Sequence, residues 1–215
     1  MPLTFEPDVS VADWVVGAGG DRAVLATQGP PGLAAHARVR HAGPDREAAP
    51  DPDLVAEVAR LGAAHTTTPE DAFFALWDGW GELHEGRVYA SMDPGRHFGR
   101  MFRRDAGPRT LPAFGPEVMD GPRARLADLG YLVFRGPLAA AGDWGARPYT
   151  PDWPRDLPPA AFTWPADRAW CIAADVDPDW FTVGGSRAFV DAVVARPDLD
   201  AAPVPYGLDP SQEPA

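Results

Sequence analysis

Ala169-Trp170-Cys171-Ile172-Ala173-Ala174-Asp175 and, after a four-residue turn, Trp180-Phe181-Thr182-Val183 are two apolar runs of strand length. β-branched and aromatic side chains fill both, and Asp and Pro residues make the turn between them. Gly184-Gly185-Ser186 follows, and Ser186 caps a helix carrying Phe189, Val190, Val193 and Val194 that stops before Pro197. A strand, a short turn, a second strand and then a helix describe an antiparallel pair covered on one side.

Working outward, the same signals recur. Residues 73–77, 88–92 and 131–135 are strand-like. Asp51-Pro52 ahead of Leu54, Val55, Val58, Ala59 and Leu61, with Gly62 behind, predicts a capped helix. Asp120-Gly121-Pro122 opens a shorter predicted helix ending at Gly130. Strands that follow one another with few long helices between them predict an α+β fold, a mostly antiparallel sheet with a few helices packed on one face.

The 215 residues fit a single globular domain over 1–202, with a flexible tail at 203–215. Pro (26) and Gly (22) cluster at 42–52, at 142–159 and in the tail. The middle cluster is a long connector, and long ordered loops in compact domains are often functional. All 19 basic residues are arginine against 31 acidic ones, for a net charge of −12. The missing lysine removes phosphate-loop nucleotidases, Schiff-base enzymes and protein kinases. The acidic balance argues against nucleic acid as a partner. One cysteine, no apolar leader and no 18-residue apolar stretch predict a soluble cytoplasmic chain without a membrane partner.

Four blocks occur in order: Pro30-Pro31-Gly32 leading into Ala37-Arg38-Val39, His65-Thr66-Thr67-Thr68-Pro69-Glu70-Asp71 through Gly81, Tyr131-Leu132-Val133-Phe134-Arg135-Gly136-Pro137-Leu138, and Trp164-Pro165-Ala166-Asp167-Arg168-Ala169-Trp170-Cys171 with Val183-Gly184-Gly185-Ser186. Together they resemble a family of uncharacterised actinobacterial proteins. Leu33, His36 and Phe73 depart from its pattern, where larger aromatics or tryptophan are usual. The resemblance implies a shared fold and a cytoplasmic setting, and assigns no catalytic residue.

Each candidate site has a bland alternative. Asp175 and Asp177 close a strand and fit either a divalent-cation site or a solvated turn. Gly184, Gly185 and Ser186 fit an anion cradle at a helix start or a tight strand-to-helix turn. His65 beside three threonines fits a general base or a surface histidine. The five histidines lack metal-ligand spacing, and Cys171 reads as a buried, inert thiol. Trp77 and Trp170 read as core. Trp144, Trp153 and Trp164, in or beside the proline-rich loop, either face a partner or pin the loop down. Arg100, Arg103 and Arg104, beside Phe98, Met101 and Phe102 at helical spacing, either dock an acidic partner or pair with the chain's own carboxylates. The function these features predict is a non-catalytic binding protein that engages another protein and needs no cofactor. The alternative is a metal-dependent or anion-handling enzyme using Asp175, Asp177 and the Gly184-Gly185-Ser186 segment.

Overall fold

A computed structural model describes residues 1–40, 51–84, 86–87, 109–149 and 154–208. The expected strand at 88–92, Trp153, His41, His97, and Arg100, Arg103 and Arg104 lie outside the described residues. In chain order the elements are β1 (Thr4–Phe5), α1 (Asp13–Val16), α2 (Arg22–Gln28), β2 (Ala35–Arg40), α3 (Pro52–Leu61), β3 (Ala72–Trp77), β4 (Gly86–Arg87) and β5 (Arg109–Thr110). They continue with α4 (Pro116–Met119), β6 (Ala124–Leu126), β7 (Leu129–Gly136), β8 (Phe162–Pro165), β9 (Cys171–Ala173), β10 (Trp180–Gly185), α5 (Arg187–Val194) and β11 (Asp200–Val204).

Nine strands form one antiparallel sheet in the order β1-β7-β3-β8-β9-β10-β2-β11, with β6 paired to β7. β4 and β5 form a separate pair. The fold is α+β with a mostly antiparallel sheet, as the strand succession predicts. The two longest helices, α3 and α5, share one face, where Phe74, Leu132, Phe134, Ile172 and Phe181 are buried. Alternate residues of the same strands, among them Phe73, Val133, Phe162 and Cys171, fill a second core with α1 and α2 on the opposite face. The two-residue period of a strand sends successive side chains to opposite faces, which is why one sheet feeds two cores.

The local signals act as their chemistry dictates. Asp51 Oδ1 accepts from the backbone N–H groups of Asp53 and Leu54, Pro52 starts α3, and Gly62 ends it. Ser186 Oγ accepts from Phe189 N–H at 3.3 Å to cap α5.

The helix expected after Asp120 is replaced by a β-hairpin. Leu126 pairs with Leu129 across a two-residue turn, and Ala127 takes a φ of 54°. Arg123 donates to the carbonyls of Val118, Met119 and Gly121 and to Asp78, holding the preceding turn closed. β11 runs through Pro203 to Val204, so the sheet continues past residue 202. Pro203 has no N–H to donate, and an edge strand is where that loss is tolerated. No helix among the described residues is long and apolar enough to cross a membrane.

Candidate functional site

The described parts of the proline-rich segment, residues 142–149 and 154–159, lie over the α3 face of the sheet and wall a cavity of about 1040 Å³. Phe74 of β3 and Thr163 of β8 are cross-strand neighbours, and both line it. One turn of α3, through Val55 and Ala56, makes one side, and residues 139–146 and 155–160 supply the others. The volume is at the upper end of the range found for small-molecule sites.

Three contacts hold these walls. Trp144 is 6% exposed and stands edge-on to Phe74 (ring centroids 6.5 Å) and Phe134 (5.2 Å). Arg60 on α3 donates to Ala141 O at 3.0 Å. Arg155 is buried and donates to three carbonyls: Arg147 O at 2.9 Å, Leu111 O at 2.7 Å, and Glu82 O. Its guanidinium also stacks 4.1 Å from the Tyr149 ring centroid. Burial holds the Arg155 guanidinium below its ordinary value, with Tyr149 and Glu82 opposing that shift.

At the mouth Asp53, Asp143 and Asp156 are exposed. None of their carboxylates has a hydrogen-bond or ion-pair partner among the described residues. At the floor Thr163 is 1% exposed.

Of the two readings open for the loop tryptophans, facing a partner or pinning the loop, the described ones take the second or lie in the core. Trp144 pins the loop. Trp164 is 1% exposed within β8, stacked on Phe73 at 5.6 Å. Neither ring is exposed: Trp144 packs from the loop onto the sheet, and Trp164 is part of β8 itself.

Of the two readings of Gly184-Gly185-Ser186, anion cradle or strand-to-helix junction, the packing fits the junction. Gly184 and Gly185 belong to β10 and pair with His36 and Ala35. A Cβ on Gly184 would lie 2.8 Å from the His36 ring, and one on Gly185 would lie 2.9 Å from Trp170 Cβ. The Ser186 hydroxyl is taken up as the helix cap.

Asp175 Oδ1 accepts from the adjacent Val176 N–H at 2.8 Å; burial, and secondarily Asp177, pushes its carboxyl above the ordinary 3.8. Among the described residues no group of three or more His, Cys, Asp or Glu side chains is placed to hold a metal ion. The threonines beside His65 serve elsewhere. Thr66 and Thr67 hydroxyls and the Thr67 N–H donate to the Asp167 carboxylate, each at 2.7 Å, while the His65 ring packs on Phe189 at 5.1 Å. Burial pushes the Asp167 carboxyl up, and these hydrogen bonds outweigh it and hold the group below 3.8. Cys171 is fully buried, and burial raises its thiol well above the ordinary range.

His36 is a buried titratable group that no sequence motif marks. It lies on β2 between β10 and β11, 5.1 Å from the Tyr206 ring, and its Nε2 has no hydrogen-bond partner among the described residues. Burial lowers its pKa below the ordinary 6.5. The unfolded chain therefore binds the proton more tightly, and stability is full above about pH 6.5. It is lost as the pH falls toward the folded value, by at most about 1.4 kcal/mol per pH unit. Urea midpoints at pH 7.5 and 5.5 should differ more for the wild type than for His36→Phe. Equal differences would mean that His36 does not carry the effect.

The fold and cavity define the class: an α+β protein whose nine-stranded antiparallel sheet forms the floor of a loop-walled pocket. Comparison of the chain with family models, with curated proteins and with solved structures found no match.

Proposed function

We propose that this is a non-catalytic binding protein whose binding element is the cavity under the proline-rich loop. One observation carries the reading. The described parts of the loop wall about 1040 Å³ against the sheet, with Thr163 at the floor and carboxylates at the mouth. A long irregular loop is normally stabilised by packing down on the core, as Trp144 does here. This one packs down at its tryptophan and at Arg155 and leaves a walled space between them. A pocket of this size, lined by polar and apolar groups together, suits retention of a ligand by partial burial and orientation by hydrogen bonds.

The test is a ligand-observed NMR screen of mixed fragments, repeated on Ala56→Leu. Ala56 lies on α3 against the cavity, so a larger side chain takes up its space. Fragments that bind the wild type should lose saturation transfer with Ala56→Leu, whose unfolding midpoint stays within a few degrees of the wild type. If the same fragments bind both proteins equally, or none binds the wild type, the cavity is not the binding element.

A further inference from the structure

We infer that residues 205–208 form a proton-operated strap, closed over His36 on the α2 face and opened by His36 protonation while the sheet stays folded. The strap lies on the face opposite the cavity and does not depend on the binding reading. The chain leaves β11 at Val204, the last residue paired with β2, and turns back to the C-terminal end of α2. There Gln28, 1% exposed, holds it twice: Nε2 donates to Leu208 O at 2.6 Å, and Oε1 accepts from Gly207 N–H at 2.8 Å. The Tyr206 hydroxyl donates to Gly29 O at 3.1 Å, and its ring lies 5.1 Å from that of His36. None of these contacts belongs to the sheet ladder, so the strap can part from α2 without unpairing β11.

His36 is the group this strap shuts in. It is 4% exposed, its ring leans over Gly184, and its Nε2 has no hydrogen-bond partner among the described residues. The titratable groups on its sides are Arg38, Cys171 and Tyr206. Arg38 lies two positions along β2 on the same face, with its guanidinium over the Trp180 ring at 3.8 Å. Cys171 of β9 pairs with Gly184, the cross-strand partner of His36 on β10. Tyr206 comes from the strap, while β11 brings Val204 and α2 brings the neutral Gln28. Burial raises the Cys171 thiol and the Tyr206 phenol, so both keep their protons and supply no negative charge. An imidazolium under the closed strap is thus a buried cation without a counter-charge among the described residues. That burial holds His36 below 6.5, and opening returns the ring to water. Closure therefore has its full strength above about pH 6.5. Below it the open-to-closed ratio rises by at most about tenfold per pH unit, until the closed-state value is passed.

NMR of the full chain between about pH 8 and about pH 5 tests the strap. The Gly207 amide, corrected for intrinsic exchange, should lose protection with the same midpoint at which the His36 ring titrates. Amides of β3 and β7 should keep theirs. Tyr206→Ala, at a position 37% exposed, should raise the His36 midpoint toward 6.5 and lower Gly207 protection already at neutral pH. His36→Phe should make Gly207 protection independent of pH. The proposal is overturned if Gly207 protection in the wild type does not change with pH, or if its change survives His36→Phe. It is overturned equally if Gly207 and the β3 and β7 amides lose protection together, since the sheet and not the strap then opens. Should His36→Phe fail to fold, the two wild-type midpoints decide: a separation above about one pH unit overturns the coupling.

Discussion

Trp170→Ala is expected to lower the free energy of unfolding by about 3–5 kcal/mol, a large fraction of the roughly 5–15 kcal/mol available to a domain. The ring is fully buried against Phe189, with centroids 5.3 Å apart, and its Nε1 donates to Gly62 O at 2.9 Å. Two glycines make room for it. A Cβ on Gly62 would come within 2.4 Å of Trp170 Cζ2, and one on Gly185 within 2.9 Å of its Cβ. Surroundings shaped this closely by backbone collapse poorly when the ring is removed, so the cavity cost adds to the transfer cost. Trp170→Phe separates the two contributions. It keeps most of the ring volume and leaves the Gly62 carbonyl without its donor, for an expected loss of about 1–3 kcal/mol. Urea denaturation of both variants checks the order. A loss under about 1 kcal/mol for Trp170→Ala would show that this corner of the core is not close-packed.

The same corner shows what the sequence made legible and what it did not. The helix through residues 52–61 is written locally: Asp51, Pro52 and Gly62 are adjacent to the backbone groups they satisfy or release. So is the Ser186 cap. The role of Gly184 and Gly185 is not local. Their dipeptide suits a phosphate-binding turn as well as a strand, and what decides between them is that His36 and Trp170 arrive from positions 148 and 15 residues away. The hairpin at residues 124–131 is hidden in the sequence because its turn places Ala127, rather than glycine or asparagine, at positive φ. β8 is hidden because Phe162-Thr163-Trp164-Pro165 is short and ends on a proline. Without β8 the cavity has no floor to recognise. Thr163 is a floor residue because it pairs with Phe74, 89 positions earlier, and no composition or spacing rule reports that register. The length of the loop points to a functional segment; the direction of its tryptophans depends on the sheet beneath it. The threonines at residues 66–68 and Asp167, in separate blocks of the sequence, form one hydrogen-bonded unit.

Arg155→Met is expected to cost about 2–4 kcal/mol and, on the binding function proposed above, to abolish ligand retention in the cavity. Methionine preserves the apolar stem, so the variant tests the guanidinium. That group satisfies the carbonyls of Arg147, Glu82 and Leu111, joining the proline-rich loop to two segments distant in sequence. It forms no ion pair among the described residues. Its charge is compensated by carbonyl dipoles and the Tyr149 ring, an arrangement that needs the planar fork of arginine. Arg155→Lys should therefore fail to restore stability or binding, although it keeps the charge. The three carbonyls lie near the surface and recover part of their cost from water, which keeps the global loss below that of Trp170→Ala. The local effect is larger. Hydrogen exchange in residues 142–149 should quicken in Arg155→Met by more than in β3 or β7, because the guanidinium closes the cavity wall and takes no part in building the sheet. Uniform quickening across sheet and loop would instead make Arg155 a part of the global core. Rescue by lysine would mean that charge alone, and not the three-carbonyl geometry, holds the cavity shut.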